Sequence, residues 1–64
     1  MRFGVTHWVT VDMEGREERL TDTILEAHSV TTVSGDLVFR NQRGDVIEAF
    51  ASGTWRRLAQ VLEH

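Results

Sequence analysis

Three histidines and ten acidic residues are the first candidates for chemistry in this 64-residue chain. A metal centre needs three or four of them to converge. His7, His28 and His64 show neither the i, i+2 nor the i, i+4 spacing that sets two ligands on one face, and no carboxylate cluster accompanies them. No metal and no cofactor are therefore expected. His28 precedes Ser29, a base beside a nucleophile, but neighbours along a strand point to opposite faces. No catalytic residue is assigned, and the chain is not read as an enzyme.

Two surface chemistries remain. Trp8 falls on the opposite parity from Phe3, Val5, Val9 and Val11, so it should face away from their core, as an interface anchor does or as a residue covered by the tail would. Arg40, Arg43, Arg56 and Arg57 could join it to form a stacking-plus-cation surface for single-stranded nucleic acid. Asp36, Asp45 and Glu48 in the same region oppose that reading, as does a net charge of -3, because phosphate affinity comes from clustered cations. Arg43-Gly44-Asp45 spells an integrin-type tripeptide, yet glycine and aspartate at that place are accounted for by a turn.

These residues must be carried by strands. From Met1 to Met13 the odd positions read Met, Phe, Val, His, Val, Val, Met, the period-two alternation of a long, half-buried strand that should bend, with Gly4 permitting a bulge or a close approach. Residues 12–18 read as an exposed turn, and residues 19–21 as strand or loop pairing back on the first strand. Residues 24–33 read as a strand bulged near His28 and Ser29, which brings Leu25, Ala27 and Val30 into one parity scheme. Residues 34–55 read as a hairpin whose arms open on Gly35-Asp36 and Gly44-Asp45. Leu37 and Phe39 share one face of it. The return arm, apolar on both faces, is expected inside the sheet or under a partner. After Ser52-Gly53 the tail is expected to turn and close as a strand, with Trp55, Ala59 and Val61 inward.

The expectation is an all-β fold: a small, strongly bent antiparallel sheet or an SH3-like or split barrel of five to six strands. The alternative is α+β, with one short helix at residues 24–29 or 55–62. Residues 1–61 read as a single domain and 62–64, Leu-Glu-His, as an expression-tag remnant. A chain of this length buries only about 60 per cent of its unfolded surface, and with no cysteine to staple it a homodimer is expected. No apolar run reaches membrane-span length and no signal peptide is evident, so the expected location is the cytoplasm.

Leu37-Val38-Phe39, Gly44, Val46, Ala49-Phe50-Ala51, Gly53 and Trp55, preceded by Ala27 and Val30, resemble the C-terminal pattern of short uncharacterised proteins of actinobacteria and their phages. Ser52 stands where proline is frequent in that group. All seven basic residues are arginine, which agrees with a GC-rich source. The resemblance implies provenance and a small β-fold, with no activity attached. The function expected is a non-enzymatic interaction module, phage-derived, that binds a host protein or itself through Trp8. The alternative is a small-barrel nucleic-acid binder using the four arginines.

Overall fold

The computed structural model describes residues 1–11 and 17–62, and every regular element among them is a strand. β1 (Arg2–Val11), β2 (Glu17–Glu26), β3 (Ser29–Val33), β4 (Asp36–Arg40), β5 (Val46–Phe50) and β6 (Trp55–Val61) make two antiparallel sheets, ordered β2-β1-β6 and β3-β4-β5. The fold is all-β and of the small bent class that the alternation predicts. Neither segment weighed as a helix forms one: residues 24–29 end β2 and begin β3, and residues 55–61 are β6.

β1 is the centre of the first sheet. Its odd residues Phe3 and Val5 are buried, while its even residues face out. β2 pairs with it without a break, from Arg2 opposite Glu26 to Val11 opposite Glu17. This strand is longer than residues 19–21 suggest, and Glu17 and Glu18, expected in the turn, belong to it; cross-strand pairing outweighs the weak β propensity of glutamate. The rest of that turn, residues 12–16, and the suspected tag residues Glu63 and His64 lie outside the described residues.

The two sheets are joined at a corner made by Ala27 and His28. The Ala27 amide donates to the Met1 carbonyl at 2.9 Å and the His28 amide to the Arg40 carbonyl at 2.9 Å. One amide thus serves the first sheet and the next serves the second. The change of parity at this corner lets Leu25, Ala27 and Val30 all pack toward the core.

β3 and β4 meet in a two-residue turn in which Ser34 (φ 51°) and Gly35 (φ 84°) both take positive φ, the twist-matched hairpin connection. Asn41 builds the next turn, its Oδ1 accepting from the Arg43 and Asp45 amides at 3.0 Å each. Leu37 and Phe39 of β4 are fully buried. β5 departs from expectation, because it is an edge strand and not an interior one: β6 leaves it to pair with β1. A bulge opposite Phe39 and Arg40 leaves Ile47 unpaired, and Val46 and Ile47 are 55% and 45% exposed. Of its apolar residues, Phe50 alone packs on the core.

β6 closes the first sheet as a strand with Trp55 on the core as expected, but Ala59 and Val61, also expected inward, share the outer face with Gly4 and Arg2. Thr6 opposes Arg57 and His7 opposes Trp55, so Arg56 is an extra residue in a bulge. The bulge shifts the parity. Leu58, opposite buried Val5, packs on the core and Ala59 is exposed.

The sheets are held face to face by aromatic rings. Phe39 lies 5.7 Å from Phe3 and 6.1 Å from Phe50, centroid to centroid, both tilted or edge-on. At one end the two turns interlock: the Trp55 indole N–H donates to the Gly35 carbonyl at 3.0 Å, and the Ser52 amide to Asp36 Oδ1 at 2.7 Å. A Cβ on Gly35 would lie 2.7 Å from Ser52 Oγ. Gly35→Ala is therefore expected to lower unfolding free energy by about 1–2 kcal/mol, through positive φ and this clash. Denaturant melts of the two proteins would measure it, and an unchanged midpoint would contradict the interlock.

Candidate interaction surface

The outer face of the β2-β1-β6 sheet follows directly from strand register, because residues opposite one another in antiparallel strands share a face. Four rows cross it. Trp8 stands beside Leu20; Thr6 stands between Asp22 and Arg57; Gly4 between Ile24 and Ala59; Arg2 between Glu26 and Val61. Trp8 is 42% exposed, Leu20 38% and Ile24 58%. Trp8 is tied to β6 through its backbone, its amide donating to the Thr54 carbonyl at 2.8 Å. The residue before β6 therefore anchors the strand beneath Trp8.

The polar row is ordered. Thr6 Oγ1 donates to Asp22 Oδ1 at 2.6 Å, fixing the carboxylate on the β2 side. The Arg57 side chain, on the β6 side, has no hydrogen bond or ion pair among the described residues. Gly4, Thr6, Asp22, Ile24, Arg57 and Ala59 line one shallow depression on this face. Gly4 is what opens it: the Ile24 Cδ1 methyl lies 3.3 Å from where a Cβ would stand. Thr6, Leu20, Arg56 and Arg57 line a second.

The four arginines singled out by sequence are divided between the sheets. Arg56 and Arg57 start β6, whose Trp55 is bonded to Gly35 at one end of β4. Arg40 is at the other end of β4, and Arg43 is in the turn beyond it. The five residues of β4 span on the order of 15 Å, so the two pairs do not meet. Arg40 donates to Thr31 Oγ1 at 3.2 Å on the second sheet. Asp45, the last residue of the Arg-Gly-Asp tripeptide, is held within the Asn41 turn by its own amide.

The His7 side chain is occupied by structure. His7 Nε2 lies 2.6 Å from Thr23 Oγ1, and its ring packs 4.7 Å from that of Phe50. His28 is exposed at the corner between sheets. Among the described residues no group of three metal-ligating side chains converges. No family model, no curated protein and no solved structure matches the chain.

Sequence reasoning named Trp8, Arg56 and Arg57 for a surface but not Leu20, Asp22, Ile24 or Ala59 beside them. Leu20, Asp22 and Ile24 were legible as even positions matched to Trp8, Thr6 and Gly4 once the second strand was extended; Arg57 and Ala59 needed the bulge at Arg56, for which the sequence carries no distinct signal. Thr23→Val, which leaves half-buried His7 without its side-chain partner, is expected to cost about 1 kcal/mol of stability. Chemical denaturation checks it, and a variant as stable as the parent would show that this contact contributes nothing.

Proposed function

We propose that the chain is a non-enzymatic interaction module, phage-derived as its resemblance implies, that acts in the host cytoplasm by binding a protein surface. The observation that carries this reading is the outward Trp8, set beside Leu20 on a β-paired, ordered face. A large aromatic loses little conformational entropy when a partner covers it, and such residues supply much of the binding energy of interfaces. Asp22 and Arg57 add opposite charges on either side of the row between Trp8 and Ile24, so the face offers directional contacts as well as apolar area.

The reading is supported further by what the polar side chains already do. His7 and Thr23 satisfy each other, and Asn41 and Asp45 are bound into a turn. A nucleic-acid surface built on Arg40, Arg43, Arg56 and Arg57 finds less support, since the pairs stand on different sheets.

Trp8→Ala is expected to keep a cooperative melt, losing on the order of 1 kcal/mol, while weakening association at least tenfold. Light scattering of the chain alone and capture from actinobacterial lysate would read that association. Collapse of the melt would make Trp8 a core residue, and undiminished association would move the interface elsewhere. Capture that falls steeply with salt and depends on the arginines would favour nucleic acid instead.

A further inference from the structure

We infer that the occupant of the Trp8 face is a second copy of this chain, stacked face to face about a two-fold axis that runs along β1. The inference rests on the interaction reading above and names its partner. It comes from the charge and size pattern of the rows.

The face is asymmetric from edge to edge. β2 carries Glu18, Asp22 and Glu26 on it, opposite Thr10, Thr6 and Arg2 of β1. β6 carries Arg57, with Arg56 in the adjoining bulge. Two copies can meet through this face about an axis in the interface plane. An axis across the strands would lay β2 on β2 and set carboxylates against carboxylates, which is repulsive. An axis along β1 lays β2 of each copy on β6 of the other and keeps each row opposite itself.

Two of the rows then meet their complements, while the row Glu26, Arg2, Val61 at the edge of the face sets Arg2 on Arg2 and Glu26 on Val61. In the row Asp22, Thr6, Arg57, each Arg57 faces the other copy's Asp22, giving two symmetry-related ion pairs. Within one copy those two residues lie on opposite sides of β1, about two strand spacings or 10 Å apart, and form no pair. In the row Ile24, Gly4, Ala59, the exposed Ile24 meets small Ala59, and Gly4 meets Gly4 at the axis, where the depression lies. The Trp8 rings approach each other on the axis. Leu20 is brought over the stem of Arg56, which can cover it while its head stays in water. Packed sheets lie about 10 Å apart, a gap that the long Arg57 side chain spans.

Two reversed charges test this. Arg57→Asp and Asp22→Arg each place like charges at both symmetry-related positions, and each is expected to weaken self-association at least tenfold in sedimentation velocity. Mixed together, the two variants should form a heterodimer, since all four charges then match. The double swap should dimerise alone. Arg57→Gln, which removes the charge without creating a repulsion, keeps the test open if a reversed variant melts non-cooperatively, and is expected to weaken the dimer several-fold.

A wild-type chain that stays monomeric to about 1 mM overturns the inference. So does a dimer indifferent to Arg57→Gln and to both swaps, or a pair of swapped variants that weaken singly and fail to associate when mixed. A monomer that still captures a lysate protein through Trp8 overturns the second copy as occupant and leaves the interaction reading standing.

Discussion

Phe39 is the residue on which the two sheets depend. Its ring packs on Phe3 of the first sheet and Phe50 of the second, and among the described residues it is one of three large side chains excluded from solvent, with Leu37 and Val5. A core of five buried residues among those described leaves few contacts to share the work. Tilted and edge-on ring packing is directional, so these contacts set the angle of the sheets as well as their attraction. A second ring contact, His7 on Phe50, joins the sheets beside it, and strand pairing and turn geometry order much of the rest.

Turn geometry explains why so small a core suffices. The Ser34-Gly35 turn matches the twist of β3 and β4, and its carbonyl and neighbouring aspartate receive the Trp55 indole and the Ser52 amide. Two turns distant in sequence are thus tied by hydrogen bonds, and Trp55 contributes apolar area to the core and a polar link to the rim at once. The corner at Ala27 and His28 does similar work at the opposite end of β4, dividing two consecutive amides between the sheets.

Much of this was legible in the chain. Period-two alternation placed Phe3 and Val5 inside and Trp8 outside, and the parity conflict among Leu25, Ala27 and Val30 marked a break near His28, read as a bulge in one strand where the chain passes from β2 of one sheet to β3 of the other. Glycine-aspartate pairs marked two turns. What could not be read were features fixed by pairing between distant segments. β5 looks interior because both its faces are apolar, yet the return of β6 to β1 puts it on an edge. The bulge at Arg56 changes which tail residues face inward, and no local signal separates Leu58 from Ala59. The Trp8 face suffered for the same reason, since three strands build it and its composition depends on their register.

The role of β1 has a kinetic side. Its partners are β2 on one edge and β6 on the other, so Arg2 pairs with both Glu26 and Val61. The β1–β2 ladder is a hairpin and can close quickly; the β1–β6 ladder joins the two most distant strands and must wait for a large loop to close. Chains dominated by such non-local pairing fold on the millisecond-to-second scale. During that interval one edge of β1 is an open template, with Phe3 and Val5 uncovered beside it. The β1–β6 ladder thus carries the largest loop-closure cost of the four, because it joins strands from the two ends of the described chain.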